Sequence, residues 1–352
     1  MGEIQDAIDR IILREAGHLD VASQQVVVLD DKAGGLVSGL PLSSVAVRLH
    51  CDSFVSEQAT ATCAGRVGLP ITVRPLLDAE TLRGAGLVLL RLPKNLAALD
   101  EIAQLAAAVA DPRVRLLAGG RDKHMSRGMN EVLARHFDSV SASLGQQRSR
   151  VLRASGPRPA SGTYPRLRRH EDLGITVCAH GAAFAGTSVD LGTGFLARFL
   201  AEMAPDSRDV IDLGCGTGVL ATLLARRFPN ARVVALDDSS AACRSAEATA
   251  AANGVQGRVA VRRADGLQGY DGASADLIVC NPPFHQGTTR DSSTAFTMFG
   301  SAGRVLRPGG ELWTVYNSHL PYRAALRRGV GPTDIVGQNR WFTVTRSRVP
   351  RS

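Results

Sequence analysis

Apolar segments of strand length alternate with helix-like segments through residues 207–348. In order, the chain presents "DVIDL", a helix from Val219, "RVVALD", a helix from Ser240 to Asn253, "RVAVRR", "DLIVC", a helix from Ser293 to Leu306 and "GELWTVYN". This alternation predicts a parallel sheet with helices on both faces. The last two runs, "TDIVG" and "WFTVTRSRV", flank the short turn "QNR" and predict an antiparallel hairpin added to that sheet.

The first half of the chain repeats this plan. Its strand-like runs lie in "QQVVVLDDKAGGL", "VAVRLH", "GLVLLRLPK" and "RVRLLAGG", and its segment "DSFVSEQATATCAG" echoes "DSSAACRSAEATAAANG" of the second half. The repetition predicts a duplicated α/β domain, although any two α/β domains share part of this rhythm. In this alignment Leu29-Asp30 matches Ile211-Asp212.

The two copies differ where chemistry is most demanding. The second half has "DLGCGTG", whereas the first has "LDDKAGG", in which Lys32 and Ala33 prevent the close approach that glycine allows. Leu92 stands where the second half has Asn281, and it offers no polar group. We therefore predict a degenerate domain in residues 1–155, a basic linker in 156–172 and a catalytic domain in 173–352.

Charge is distributed unevenly along the chain. The formal net charge is +8, and from Gln146 to His170 the sequence carries seven arginines without one acidic residue. A second basic stretch follows Pro321. Arginine suits bidentate contact with phosphate, so two basic segments favour a nucleic-acid partner. The alternative is that arginine is simply frequent in the source proteome.

The cysteines and the N-terminus exclude several classes of protein. The six cysteines form no CxxC pair and no cluster at metal spacing, which predicts reduced thiols in the core and no metal site. The first residues, "MGEIQDAIDRIILREAG", have the pattern of a charged amphipathic helix rather than a signal peptide. No apolar run reaches about 18 residues, so we expect a cytoplasmic protein with no membrane contact. The oligomeric state stays open, with a monomer favoured.

A glycine-rich loop follows the strand "DVIDL". It contains Gly214, Cys215, Gly216 and Gly218, spaced GxGxG and preceded by Asp212. Such a loop allows a sharp turn and a close approach to a ligand at the start of a helix.

Three further acidic residues stand at or just beyond the ends of the next strands. Asp237 ends the next strand at the distance where an acid accepts ribose hydroxyls, with Asp238 as the rival, and Asp265-Gly266 follows the third strand. Each acid alone could be a helix cap or a turn residue. Together with the loop they predict a site for a nucleoside-bearing cofactor.

The sequence "CNPPFHQG" follows the strand "DLIV". Asn281 precedes Pro282 and Pro283, and Phe284 comes next. An isolated match of this kind would only stop a strand. Beside a glycine loop it predicts an amine site, because the Asn281 side-chain oxygen and the Pro282 carbonyl can accept both N–H bonds of a planar amine. Phe284 offers a stacking face for a base.

The glycine loop and the three acids resemble those of class I S-adenosylmethionine-dependent methyltransferases. The resemblance covers the second half and implies S-adenosyl-L-methionine as cofactor, bound by the residues named above together with Asn281. It also implies a Rossmann-like sheet of order 3-2-1-4-5-7-6. The chain as a whole is then two tandem α/β methyltransferase domains, and the first is a degenerate copy.

"NPPFHQG", "LRPGGELWTVYNSHLPYRAALRR" and "IVGQNRWFTVTRSRV" resemble the ribosomal RNA guanine-N2 methyltransferases, small-subunit type C and large-subunit type G. This implies methyl transfer to a guanine N2 amine, with ribosomal RNA or a ribosomal subunit as partner and the N-terminal domain as an RNA-binding part. The resemblance also implies further site residues. Around the cofactor these are Gly181, Asp190, Gly192 and Thr193, and around the base they are Phe284, His285, Gln286 and Arg340.

Some alternatives remain open at this point. His319 and Tyr322 could support the base pocket, but we expect them to pack the end of the fifth strand. The amine could belong to adenine N6 or to a protein glutamine. The chain could also be a non-catalytic RNA-binding or assembly factor.

Overall fold

The computed structural model describes residues 5–19, 25–41, 46–159, 161–282 and 289–351, with only the main chain for residues 46 and 289–294. The chain forms two compact units. The first unit contains Met1–Tyr164 together with His180–Ala182, and the second contains Pro165–Ala179 together with Ala183–Ser352. Among the described ranges, every helix is too short or too polar to span a bilayer.

The first unit contains these helices and strands in chain order: α1 Ala7–Ala16, β1 Gln25–Leu29, β2 Ala46–His50, α2 Phe54–Val67, β3 Ile71–Val73, α3 Ala79–Leu82, β4 Leu87–Arg91, α4 Leu96–Val109, β5 Arg115–Arg121, α5 Arg127–His136, β6 Phe137–Ala142 and β7 Ser149–Pro157. Short 3₁₀ turns lie at Val37–Gly39 and Asp122–His124. The described strands form one sheet of order β3-β2-β1-β4-β5-β7-β6.

The second unit contains these elements: β8 Arg166–His170, β9 Ile175–Ala179, α6 Leu191–Ala197, β10 Asp209–Leu213, α7 Val219–Arg227, β11 Arg232–Asp237, α8 Ser240–Ala252, β12 Val259–Arg263, β13 Ala275–Cys280, α9 Thr289–Val305, β14 Leu306–Asn317, α10 Tyr322–Gly329, β15 Thr333–Gln338 and β16 Phe342–Arg348. A 3₁₀ turn lies at Leu200–Glu202.

The main sheet of the second unit has the order β12-β11-β10-β13-β14-β16-β15 among the described strands. The neighbouring strands from β12 through to β14 pair in parallel. β16 pairs antiparallel with both β14 and β15. This confirms the predicted order 3-2-1-4-5-7-6 and the terminal hairpin. The central strands β10 and β13 are almost continuously buried because helices cover both faces of the sheet.

A separate two-stranded ribbon precedes this sheet. β8 pairs antiparallel with β9, and the paired residues run from Arg166 with Ala179 to His170 with Ile175. Thus part of the predicted linker 156–172 is strand, and β7 also extends into it as far as Pro157. The arginines of β8 are compatible with a strand because that strand is exposed while β9 is largely buried. An exposed edge strand accommodates charged side chains.

Strand pairing corrects the alignment of the two halves. The last pair between β1 and β4 is Leu29 with Leu90, and the last pair between β10 and β13 is Leu213 with Cys280. Leu29 therefore corresponds to Leu213, whereas the alignment from sequence placed Leu29 opposite Ile211, two positions earlier. By the same register Arg91, and not Leu92, occupies the place of Asn281. The error arose because matching letters do not fix strand register, whereas hydrogen-bonded pairing does.

Arg91 closes the corresponding position of the first unit with an ion-pair cluster. It is buried, and its guanidinium contacts the carboxylates of Asp6 and Asp9, with 2.8 Å from Nη2 to Oδ2 of Asp6. Burial acts to raise the pKa of Asp6, but hydrogen bonds from Arg91 and from backbone amides lower it to about 2. The first unit thus holds a donor-only guanidinium where the second unit holds an amide with an acceptor.

Candidate active site

A cavity of about 770 Å³ lies at the carboxyl ends of the parallel strands of the second unit. Ligands of doubly wound sheets bind at this edge, where the strand order reverses. The lining contains eleven of the residues predicted from the sequence: Asp190, Thr193, Gly214, Cys215, Gly216, Asp237, Asp238, Asp265, Gly266, Asn281 and Pro282.

The glycine loop lies between β10 and α7. Gly214 and Gly216 have φ values of 77° and 52°, a left-handed conformation that glycine adopts without strain. A Cβ added at Gly216 would meet nothing within 4 Å, and one at Gly214 would lie 3.9 Å from the main-chain oxygen of Asn281. The loop therefore leaves open space for a ligand next to Asn281.

Asp237 stabilises the loop from the end of β11. Its Oδ2 accepts a hydrogen bond from the Gly216 amide, and its Oδ1 accepts one from the Ser239 amide, each at 2.9 Å. Asp237 therefore ties the end of β11 to the glycine loop and to the start of α8. Asp238 and Asp265 line the same cavity, and Asp265 is exposed.

Asp212 lies beneath the loop, and it does not line the cavity. It is fully buried, its Oδ2 accepts a hydrogen bond of 2.8 Å from the Ala221 amide, and its Oδ1 has no hydrogen-bond partner among the described residues. Ala221 lies in the first turn of α7, so Asp212 caps that helix from β10. Burial, with the nearby Asp237 carboxylate, raises the pKa of Asp212 to about 7.

The raised pKa makes the stability of the wild-type protein sensitive to pH. An acid whose pKa rises from 3.8 to about 7 on folding favours the folded state below pH 4, and that contribution declines as pH rises to 7. We expect wild-type protein to lose on the order of 4 kcal/mol relative to Asp212→Asn across this window. Urea unfolding of both proteins at several pH values measures the difference; a constant gap would contradict the assignment.

Cys215 lines the cavity but does not act as a thiolate. Burial, followed by the carboxylates of Asp237 and Asp212, raises the pKa of the Cys215 thiol well above its usual value. All six cysteines are free and buried, as the sequence predicts. The site therefore contains a neutral thiol, and nucleophilic catalysis by this residue is not supported.

Asn281 follows β13 and is held by polar contacts. Its Nδ2 donates to Oδ2 of Asp190 and to Oγ1 of Thr193, each at 2.9 Å. Its Oδ1 is buried and has no hydrogen-bond partner among the described residues. The described residues thus leave this buried acceptor unpaired, a costly arrangement that a hydrogen-bond donor on a ligand would relieve.

Besides Asp212, four predicted residues lie away from the cavity lining: Gly181, Gly192, Gly218 and Arg340. Gly181 belongs to the first unit, where its amide donates to Oε2 of Glu101. Gly218 has φ 76° and begins α7, and a Cβ there would lie 2.7 Å from the Cα of Ala246. Arg340 is exposed in the turn before β16, with its guanidinium 4.7 Å from the ring centroid of Trp341. Their ligand contacts remain predictions.

The remaining predictions concern Tyr322, His319 and the residues after Pro282. Tyr322 is buried and its ring packs against those of Phe299 and Tyr316, which agrees with a packing role. His319 is exposed. The predicted roles of Pro283, Phe284, His285 and Gln286 lie outside the described residues.

One wall of the cavity is formed by residues that the sequence patterns did not predict. Helix α9 contributes Thr297, Met298, Ser301 and Arg304. Thr297, Ser301 and Arg304 have the spacing i, i+4, i+7, which places them on one face of the helix. This spacing was the available signal for a cavity wall, but it usually marks a face that packs in the core. Phe184, which is 68% exposed, and Ser188 were also missed because they lie in an irregular segment.

Comparison with known proteins gives consistent matches to both units. A family model described as the methyltransferase small domain matches residues 174–346, and one described as the RLMG N-terminal domain matches residues 5–158. Ribosomal RNA large subunit methyltransferase G of Streptomyces coelicolor is 35% identical over 97% of this chain and 93% of its own length. The Pseudomonas fluorescens protein of that name is 33% identical over 97% and 92%.

A solved structure matches almost the whole chain. The 16S rRNA N2 methyltransferase RsmC of T. thermophilus, in complex with AdoMet and guanosine, superposes with a TM-score of 0.77 at 24% identity, over 99% of this chain and 93% of that one. This similarity confirms the fold. From the matches in sequence, the chain belongs to the ribosomal RNA large subunit methyltransferase G family.

Proposed function

We propose that the second unit catalyses methyl transfer from S-adenosyl-L-methionine to the N2 amine of a guanine in large-subunit ribosomal RNA. The observation that carries the proposal is Asn281, whose Oδ1 is buried next to the glycine loop and has no hydrogen-bond partner within the described part of the chain. The names of the relatives support ribosomal RNA as substrate. The bound guanosine of the T. thermophilus enzyme supports guanine as the base. We place the reaction in the cytoplasm, where ribosomal RNA is found.

The cavity residues fit the proposed cofactor. Asp237 and Asp265 supply carboxylates for hydroxyl and amino groups, and the open glycine loop admits a ligand close to the backbone. When bound there, S-adenosyl-L-methionine supplies an electrophilic methyl group on a sulfonium.

The work of the protein is then to orient the amine. The lone pair of an exocyclic amine is delocalised into the base, so the amine is a weak nucleophile. Asn281 Oδ1 and the Pro282 carbonyl accept its two N–H bonds and direct the lone pair towards the reacting carbon. Such positioning supplies a large part of a rate enhancement. Cys215 remains neutral, which keeps a competing nucleophile away from the reaction.

Nucleoside analysis tests this proposal. The purified protein is incubated with S-adenosyl-L-methionine and large-subunit RNA from a strain in which the gene is disrupted, and the RNA is then digested to nucleosides. We expect N2-methylguanosine in amounts that depend on the enzyme. N6-methyladenosine would identify an adenine enzyme, and methylation of protein alone would identify a glutamine enzyme. Cofactor binding without any methylation would identify a non-catalytic factor.

We also propose that the first unit binds RNA through the edge of its sheet that corresponds to the cofactor site. The chain has only three lysines, Lys32, Lys94 and Lys123, and they follow β1, β4 and β5. These three strands are neighbours and parallel, so their carboxyl ends share one edge. All three lysines are exposed. Desolvation and the ammonium groups of all three lysines lower the pKa of His124. A compact cationic surface of this kind suits phosphate contact.

Replacing the three lysines with alanine is expected to weaken binding of a ribosomal RNA fragment at least tenfold and to lower the log–log salt slope by about 2–3. Fluorescence anisotropy across salt concentrations measures both quantities. The matched control is Arg113→Ala, since Arg113 is 93% exposed and precedes β5 at the opposite edge. An unchanged slope in the triple variant, or an equal loss in the control, would contradict a phosphate surface at the lysines.

A further inference from the structure

The amide of Asn281 uses both of its N–H bonds within the protein. One accepting group is Oδ2 of Asp190 and the other is Oγ1 of Thr193, and both N···O distances are 2.9 Å. Asp190 and Thr193 lie about ninety positions earlier in the chain, at the start of α6. The side chain of Asn281 is therefore held by a helix end, and not by its own strand.

Asp190 is itself fixed by that helix. It is the N-cap of α6, and its Oδ2 accepts hydrogen bonds from the amides of Gly192 at 2.9 Å and Thr193 at 3.1 Å. Oδ2 of Asp190 therefore acts as an acceptor towards both of these amides. The side of the Asn281 amide that faces Asp190 must therefore be its NH₂ side.

The oxygen of the amide is directed away from these contacts. A Cβ added at Gly192 would lie 3.4 Å from Asn281 Oδ1 and 3.4 Å from the ring of Phe342, so glycine at this position leaves the space beside the oxygen unfilled. Turning the amide over would place its oxygen against the carboxylate of Asp190 and would present two donors in place of one acceptor. An amine substrate, which donates through its own N–H bonds, would then have no acceptor on Asn281.

We propose that Asp190 and Thr193 are positioning residues that lock the Asn281 amide with its oxygen available to the amine. This inference rests on the proposed function, and it gives Thr193 a role different from the cofactor contact expected from the sequence. The two residues act through Asn281 and not by touching the reacting atoms.

The first unit keeps the same framework with a different group. There Asp6 is the N-cap of α1, the helix before the first strand, and its carboxylate binds Arg91, which occupies the place of Asn281. A helix cap is thus linked to the end of a central strand in both units, α1 to β4 in the first and α6 to β13 in the second. In the second unit it holds an amide that retains an acceptor. In the first it holds a guanidinium, which has none.

Variants of Thr193 test the lock without removing the helix cap. Thr193→Val has the same shape but cannot accept a hydrogen bond, and we expect kcat to fall about tenfold at saturating substrates. Thr193→Ser retains the hydroxyl and should restore kcat to within about threefold of wild type. The Kd for S-adenosyl-L-methionine, measured by calorimetry, should change less than about twofold in both variants.

Variants of Asp190 provide a second test of the same positioning role. Asp190→Asn keeps an oxygen acceptor and a good N-cap, so it should retain most of kcat. Asp190→Ala removes the acceptor and should lower kcat about a hundredfold, with thermal unfolding used to show that the protein is folded. In an Asn281→Ala background, Thr193→Val should cause no further loss, because a residue that acts through Asn281 has nothing left to position.

Two results would overturn the inference. One is a weaker Kd for S-adenosyl-L-methionine in Thr193→Val with unchanged kcat, which would make Thr193 a cofactor contact. The other is unchanged kcat in both Thr193→Val and Asp190→Ala. A wild-type protein that methylates an amine other than guanine N2 would instead overturn the proposed substrate, while the kcat ratios would still test the lock.

Discussion

Replacement of Asn281 by alanine is expected to lower kcat by about 10²–10³-fold, the loss usually seen when one preorganised polar contact to a reacting group is removed. The reason is that Oδ1 is the buried acceptor next to the glycine loop, and alanine leaves the amine with one acceptor fewer. The Kd for S-adenosyl-L-methionine should change less than about threefold. Steady-state kinetics and calorimetry measure the two effects separately.

Asn253→Ala is the matched control for this variant. Asn253 ends α8, and its amide binds the main chain of Thr176 and of Thr249 outside the cavity lining. Its loss should lower stability and leave kcat near wild type. The role of Asn281 fails if Asn281→Ala retains activity, or if its main effect is on cofactor binding.

Substitution of Gly218 by alanine is expected to destabilise the protein by about 2–5 kcal/mol, from a left-handed backbone and from overpacking. Gly218 has φ 76°, and its added Cβ would lie 2.7 Å from the Cα and 2.8 Å from the Cβ of Ala246 on α8. Helix α8 would have to move away from the glycine loop. Urea unfolding measures the loss of stability.

Gly216→Ala separates strain in the loop from space for the ligand. Gly216 also has a positive φ, 52°, but an added Cβ there meets no atom within 4 Å and Gly216 lines the cavity. We expect a loss of stability of about 1 kcal/mol and a Kd for S-adenosyl-L-methionine raised about tenfold. Equal destabilisation by the two alanine substitutions would show that contact with Ala246 does not decide the need for glycine at 218.

The sheet of the second unit was predictable because its strands carry continuous apolar runs. "DVIDL" and "RVVALD" match β10 and β11 residue for residue. The predicted helix 293–306 is in fact Thr289–Val305, since helix starts depend on caps that local composition indicates poorly.

The site was predictable only in part. Asp237, Asp265 and Asn281 stand at or just beyond strand ends, so sheet topology alone brings them to one edge. The bonds from Asn281 to Asp190 and Thr193 join residues about ninety positions apart, and no local pattern announces such pairs. Asp212 has the residue type of a ligand contact, yet its depth beneath the loop makes it a helix cap.

The two units illustrate how one fold loses a site while keeping its framework. A buried arginine that replaces an amide needs paired carboxylates, and Asp6 and Asp9 supply them. The sequence pointed to an inactive first copy, but through Leu92. Strand register instead identifies Arg91, whose charge and size account for the closed position more directly.

The most direct test of the central claim is mass spectrometry of ribosomal RNA nucleosides from cells with and without the gene. We expect disruption to remove an N2-methylguanosine from large-subunit RNA. We also expect the wild-type gene to restore this nucleoside and an Asn281→Ala gene not to restore it. Unchanged N2-methylguanosine in the disrupted strain would contradict the proposed function, and restoration by Asn281→Ala would contradict the mechanism.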